Sequence, residues 1–156
     1  MSTGVVVDAS VWVSSMRKED VNHNVSRLWM KKFVTHGGFM VATTFLYIEV
    51  AAAISRQTRD ASLAQQAIRD LGAFKASHDL HVSTLNSAFI RRATNVAIDL
   101  RLRAGDATYV ALAYQLNIPL VSWDKEQLER ASSLVTTYTP DKYVFETGES
   151  EAEDET

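Results

Sequence analysis

Gly4-Val5-Val6-Val7-Asp8-Ala9-Ser10 is the stretch from which the fold can be read. Three consecutive β-branched apolar residues suit a short strand buried on both faces, as at the centre of a parallel sheet. The run stops at a lone carboxylate, followed by a small residue and a hydroxyl. In open α/β sheets, ligands bind beyond the carboxyl ends of the strands. Asp8 therefore marks a candidate site. The question for the rest of the chain is which other carboxylates the fold brings to it.

Outward from Asp8, helix and strand patterns alternate. Ser10 can cap a short helix bearing Val11, Trp12 and Met16. Asn22 or Asn24 can cap a second, with Val25, Leu28, Trp29, Lys32 and Phe33 as its stripe and Gly37-Gly38 as its stop. Phe39 to Ala42 reads as a second strand. Thr43 or Thr44 then caps a helix from Phe45 to about Gln57. Asp60 caps another, with Leu63, Ala67, Ile68, Leu71 and Phe74 inward, and Leu80-His81-Val82 is a third strand. A helical pattern from Asn86 to Arg103 turns Phe89, Ala93, Val96, Ala97 and Leu100 inward. Gly105 breaks it, and a new helix starting near Asp106 carries Val110, Ala113 and Tyr114. Ile118 to Ser122 is a fourth strand, Lys125 to Ala131 a short helix, and Leu134 to Thr137 a last strand. This alternation predicts an α/β fold: a mostly parallel five-stranded sheet with helices on both faces.

The chain has 156 residues, enough for one domain with a substantial core. It has no cysteine, which excludes disulfides, thiolate metal sites and a cysteine nucleophile and suits a reducing compartment. No apolar run approaches the roughly 20 residues of a membrane span, and Asp8 interrupts the first apolar run, so no signal-peptide pattern is present. The expectation is a cytoplasmic protein. The net charge of −3 hides an asymmetry. Glu146, Glu149, Glu151, Glu153, Asp154 and Glu155 crowd the last eleven positions without a Lys or Arg, leaving 16 basic against 13 acidic residues, or +3, in residues 1–145. We therefore divide the chain into a domain over 1–145 and an acidic tail over 146–156 that should be disordered.

Four acids stand where surface acids do not belong. Asp8 ends an all-valine strand. Glu49 lies within Phe45-Leu46-Tyr47-Ile48-Glu49-Val50-Ala51-Ala52, where Phe45, Ile48, Glu49 and Ala52 share a helix face. A carboxylate in an apolar stripe is costly unless it is paired or holds a metal. Asp106 opens a helix, and Asp124 follows the fourth strand as Asp8 follows the first. Singly, each has an ordinary reading: a helix-dipole acid for Asp106, an N-cap for Asp124, an ion pair with Arg56 for Glu49, a loop acid for Asp8. Together they are harder to dismiss: Asp8 and Asp124 stand at strand ends, Asp106 at a helix start that should lie on the same edge, and Glu49 points inward from a helix packed on that sheet.

No other constellation competes. His23, His36, His78 and His81 lack metal-ligand spacing, there is no glycine-rich phosphate loop, and Trp12, Trp29 and Trp123 suit a core or an interface. Carboxylates without histidine or thiol select hard cations, Mg²⁺ or Mn²⁺. Without metal, such a cluster repels itself and titrates high.

These pieces, VVVDAS, LYIEVAAAI, LRAGDATYVALA and LVSWDKEQL, resemble in order and spacing the PIN-domain family of metal-dependent ribonucleases, especially the stand-alone VapC-type toxins of toxin–antitoxin pairs. The resemblance spans residues 4 to about 140. It implies a three-layer α/β/α fold with strand order 3-2-1-4-5. It implies that Asp8, Glu49, Asp106 and Asp124 form an acidic quartet for one or two Mg²⁺ or Mn²⁺ ions, with Ser10 and Ser122 helping to place water or phosphate. It also implies hydrolysis of RNA by metal-activated water, a homodimer and a small antitoxin partner. Lys31, Lys32, Arg91, Arg92, Arg101 and Arg103 are candidates to guide the RNA backbone. Trp12, Trp29 and Phe33 are candidates for the dimer surface, and the acidic tail is no part of the family pattern. Two other readings stand beside this one: a PIN-like module that binds RNA or protein without cutting, and a phosphate-receiver domain. The single Asp after the first strand and the lack of a Lys after the last argue against the receiver.

Overall fold

The computed structural model describes residues 3–146. The expected disorder of the tail concerns mostly residues 147–156, which lie outside the described residues. Five strands form one all-parallel sheet: β1 (Gly4–Val7), β2 (Phe39–Thr43), β3 (Leu80–Ser83), β4 (Leu120–Val121) and β5 (Thr137–Tyr138). Their order is β3-β2-β1-β4-β5, as the resemblance implied. Seven α-helices among the described residues complete the α/β/α sandwich: α1 (Ala9–Met16), α2 (His23–Thr35), α3 (Phe45–Thr58), α4 (Ala61–Ala76), α5 (Ser87–Leu100), α6 (Ala104–Leu116) and α7 (Lys125–Ala131).

β1 is the central strand because its sequence permits it. Val5, Val6 and Val7 are fully buried, and a strand flanked on both edges and both faces needs an unbroken apolar run. Burying each valine is worth about 1.5–3 kcal/mol. α6 packs across β1, β2 and β4, and its run of buried residues from Ala107 to Ala113 explains its lack of a polar side. α1, α2, α3 and α4 pack on one another, with Trp12 of α1 meeting Phe74 of α4 edge-on at 5.2 Å. A buried polar clasp ties α1 and α2 to the site edge: Ser14 and Ser26 share a hydrogen bond of 2.6 Å, and Trp123 Nε1 donates to Ser26 at 2.8 Å.

Several expectations are corrected. Asp8, not Ser10, caps α1, its Oδ2 accepting the Ser10 N–H at 3.0 Å. On α2 the inward residues are Ser26, Trp29, Met30 and Phe33, whereas Val25 and Leu28 are exposed. The helix turns its two aromatic rings inward, where Tyr143 packs on both. Trp12, Trp29 and Phe33 are therefore core residues, and any dimer needs another surface. On α3 the core face is Leu46, Val50 and Ile54. Leu63 of α4 and Tyr114 of α6 are exposed. α5 stops at Leu100 because Arg101 turns left-handed (φ 54°), and α6 begins at Ala104, so Gly105 lies inside a first turn and breaks nothing. β5 is Thr137–Tyr138, because the chain after α7 closes a turn in which Leu134 and Val135 both donate to the Ala131 carbonyl. Gly37 ends α2 as expected, at a φ of +81° open to glycine.

Candidate metal centre

Parallel pairing puts the ends of β1 and β4 side by side. Val7 pairs with Val121, and the Asp8 N–H donates to the Val121 carbonyl at 3.0 Å. Asp8 and the Ser122–Asp124 turn thus leave the sheet together. Asp8 is 4% exposed. Its Oδ2 accepts from Ser10 N–H and from Ser122 Oγ (3.2 Å), and its Oδ1 from Gln127 Nε2 (3.4 Å). Burial still dominates these bonds and raises its pKa above the usual carboxylate value.

The other three acids come from three further elements. Asp124 caps α7 by accepting the Gln127 N–H at 3.1 Å, so its ordinary reading holds beside the functional one. Asp106 sits in the first turn of α6. Burial and the charges of Asp8 and Asp124 push it up to about 6, against a partial opposing pull from Arg103. Glu49 is pushed up to about 7, by burial first and then by the charge of Asp8. It forms no ion pair with Arg56 among the described residues. Its Oε1 is buried with no hydrogen-bond partner, as is the Tyr109 hydroxyl, although that hydroxyl lies near enough to favour the charged form of Glu49. Gly105 makes room for this carboxylate: a Cβ there would stand 2.8 Å from Glu49 Oε1. Asp8, Ser10, Glu49, Arg56 and Trp123 line a cleft of about 510 Å³. The face of α3 bearing Phe45, Ile48, Glu49 and Ala52 looks onto this cleft and not into the core.

Gln127 is the residue that sequence reasoning missed. It is 1% exposed. Its Nε2 reaches both Asp8 Oδ1 and the Asp106 carbonyl (3.3 Å), while its Oε1, 2.8 Å from Ser122 Oγ, shares that hydroxyl's single proton with Asp8 Oδ2. One amide side chain therefore joins β1, β4, α6 and α7. Ser122 is fully buried and holds Asp8, Gln127 and the Asp124 N–H together; Ser10 is half-buried on the cleft wall. Gln127→Leu keeps the volume but strips these bonds. It is expected to destabilise the protein by about 1–3 kcal/mol and to lower any activity of the site by about 10–100-fold. Denaturant unfolding and turnover measurements check both, and an unchanged protein would reduce the bridge to packing.

The donor set is hard oxygen throughout, three of its acids resist ionisation, and one carboxylate oxygen is buried without a partner. All three suit a divalent cation. Among the described residues, however, no three acidic or histidine side chains stand close enough to encircle one ion. The set fits an ion of the Mg²⁺ kind, which takes one or two carboxylates and keeps several waters.

The raised carboxylates set a pH dependence. Asp8, Glu49 and Asp106 hold their protons to higher pH in the fold than in the unfolded chain. Their contribution to the stability of the metal-free protein is therefore present at low pH. It is lost as pH rises from the unfolded values near 4 through the folded values of about 6 and about 7. Melting at pH 5 and pH 7.5 should show this loss, and Glu49→Gln should flatten it; parallel profiles for the two proteins would contradict the assignment.

Of the proposed RNA guides, Arg103 lies near enough to act on Asp106, whereas Lys31 lines a different groove and Lys32 covers the Phe145 ring. Arg92 donates to Gln115. Arg56, on the cleft wall, was not among them.

Solved structures share this architecture. VapC20 of Mycobacterium tuberculosis, described as a toxin that cleaves the sarcin-ricin loop, superposes with a TM-score of 0.66 at 16% identity, over 84% of this chain and 96% of that one. VapBC-1 of nontypeable Haemophilus influenzae gives 0.63 at 14%, over 90% and 100%. FitAcB of Neisseria gonorrhoeae gives 0.62 at 12%, over 89% and 99%. At these identities the likeness is one of fold. No curated protein sequence matches the chain. The PIN domain family model, however, matches residues 5–133, and with Asp8, α3, α6 and the β4–α7 turn all inside that match, the chain belongs to the PIN domain family.

Proposed function

We propose that this PIN-domain protein is a metal-dependent endoribonuclease, the toxin of a toxin–antitoxin pair. One observation supports the reading: acids from four separate elements lie toward the carboxyl edge of the sheet, and Glu49 and Asp106 are pushed up first by burial and then by the charge of Asp8. Carboxylates perturbed in this way cluster at functional sites, where a bound cation would favour their charged forms. Asp8, Glu49, Asp106 and Asp124 would hold one or two Mg²⁺ or Mn²⁺ ions. A bound ion of this kind lowers the pKa of water and polarises a phosphoryl oxygen, so hydrolysis needs no covalent intermediate.

The chain's own residues supply the rest. Asp8 is fixed by Ser122 and Gln127, so its orientation is set before anything binds. Ser10 lines the cleft with its Oγ accepting the Trp123 N–H at 3.0 Å, from where it would help to place water or phosphate, and Ser122 acts through Asp8. Arg56 and Arg103 take the phosphate-guiding role. The antitoxin partner is supported by a similar fold from Klebsiella pneumoniae that is described as a toxin-antitoxin complex. A homodimer remains part of this reading, with exposed Ile90 and Ile98 of α5 replacing the buried aromatics as its apolar surface. No helix among the described residues is long and apolar enough to cross a membrane, which is compatible with a cytoplasmic toxin.

The testing experiment is a cleavage assay on structured RNA with Mg²⁺ or Mn²⁺, with and without chelator. The expected result is endonucleolytic cutting that chelation stops. A protein that binds the RNA with either ion but never cuts it would instead support the non-cleaving module.

A further inference from the structure

We propose that the acidic segment beyond Glu146 docks on the basic rim of the groove between α1, α2 and α4. This does not depend on the nuclease reading. The groove has a volume of about 550 Å³. Met30 and Phe74 belong to its apolar lining, and Lys18, Arg27 and Lys31 supply its positive charge. Asp70 is the one carboxylate among its described lining residues.

The path of the chain brings the segment here. Phe145 packs on the outer side of α2: Lys32 Nζ lies 4.3 Å from its ring centre and the His36 ring 5.7 Å away. Glu146 therefore leaves from the helix that supplies Arg27 and Lys31 to the groove. Residues 147–156 can span up to about 33 Å, whereas passing from one side of a helix to another covers little more than its diameter of about 10–12 Å. Within those ten residues lie Glu149, Glu151, Glu153, Asp154 and Glu155, with no Lys or Arg.

Charge selects the groove over the cleft. The cleft is walled by Asp8, Asp20 and Glu49, with Arg56 as its one described Lys or Arg, and Asp106 and Asp124 stand close by. Free of metal, it repels a polyanion. The groove carries three cations against one acid. Tethering holds the segment at an effective concentration of order mM, so a weak attraction suffices. The segment neutralises the groove, and an acidic partner must displace it to dock there.

The cysteine-free chain makes the test direct. Ser150→Cys supplies a unique thiol for a nitroxide label, whose effect on backbone amide signals reports proximity. In the 156-residue chain at low salt, the amides of Lys18, Arg27 and Lys31 should lose most of their intensity. They should recover it at about 0.5 M salt, where screening shortens to a few ångströms. Arg27→Glu with Lys31→Glu, both at exposed positions, should abolish the loss without unfolding the protein. Three results would overturn the proposal: broadening confined to the neighbours of Tyr143 and Phe145, broadening centred on the carboxylate cleft, or broadening that grows with protein concentration, which would make a second copy the source.

Discussion

Asp8→Asn is expected to lose RNA cleavage by about 10³-fold or more and yet to melt higher than the metal-free wild type at neutral pH. Both effects come from one property of the site. Asp8 is buried, and burial raises its pKa despite four hydrogen-bonding influences that lower it. Its charge also helps to push up Glu49 and Asp106. Asparagine removes that charge and leaves the shape. It can still accept the Ser10 N–H, and Asn caps helices as well as Asp, while its NH2 takes the place of Oδ1 and forfeits only the long 3.4 Å bond from Gln127 Nε2. The fold therefore loses little, the remaining carboxylates ionise more easily, and the melting temperature rises. The ion loses its most fixed ligand. Asp8→Ala separates the two effects, since it also deletes the cap and gives back about 1 kcal/mol. An Asp8→Asn protein that cuts RNA at the wild-type rate would remove Asp8 from the centre of the account.

Gly105→Ala is the second large expected effect, and it falls on a residue with no functional group. A Cβ at 105 would lie 2.8 Å from Glu49 Oε1, 3.2 Å from its carboxyl carbon and 3.2 Å from Phe45. The carboxylate is the end of a flexible side chain, so it moves and the backbone does not. Glu49 is a proposed metal ligand, and a misplacement of about 1 Å at such a group can cost about 10²-fold in rate. Gly105 is helical, and alanine in a helix is favoured over glycine by up to about 1 kcal/mol. The variant should therefore be impaired in cleavage while unfolding at an equal or higher denaturant concentration. Impairment together with a matching loss of stability would show that the substitution damages the fold and not the position of Glu49.

Much of this was legible in the chain, for physical reasons that differ by residue. Val5-Val6-Val7 could be read because only a central parallel strand buries such a run on both faces. Asp8 and Asp124 could be read because a parallel sheet places the ends of adjacent strands together. Glu49 was found through the wrong face: α3 is apolar on two sides, and Leu46, Val50 and Ile54 take the core while Glu49 looks onto the cleft. Gln127 was not legible. It lies in Lys125-Glu126-Gln127-Leu128-Glu129-Arg130, which reads as a solvated helix, and its partner Asp8 is 119 positions away. Tyr109, beside Glu49, was hidden for the same reason in a helix buried along most of its length. The burial of Trp29 and Phe33 turned on Tyr143 and the C-terminal segment closing over α2, a contact no local pattern encodes.

The central claim is that these carboxylates are held apart from their protons by a divalent ion. Calorimetric titration of the metal-free protein with Mn²⁺ at pH 6.5, in two buffers of different ionisation enthalpy, tests it most directly. With Glu49 at about 7 and Asp106 at about 6, both are partly protonated there, so binding must release protons. Saturable binding whose heat differs between the buffers is expected, and no such binding by Asp8→Asn. The same heats for wild type and Asp8→Asn, or wild-type binding without proton release, would contradict it.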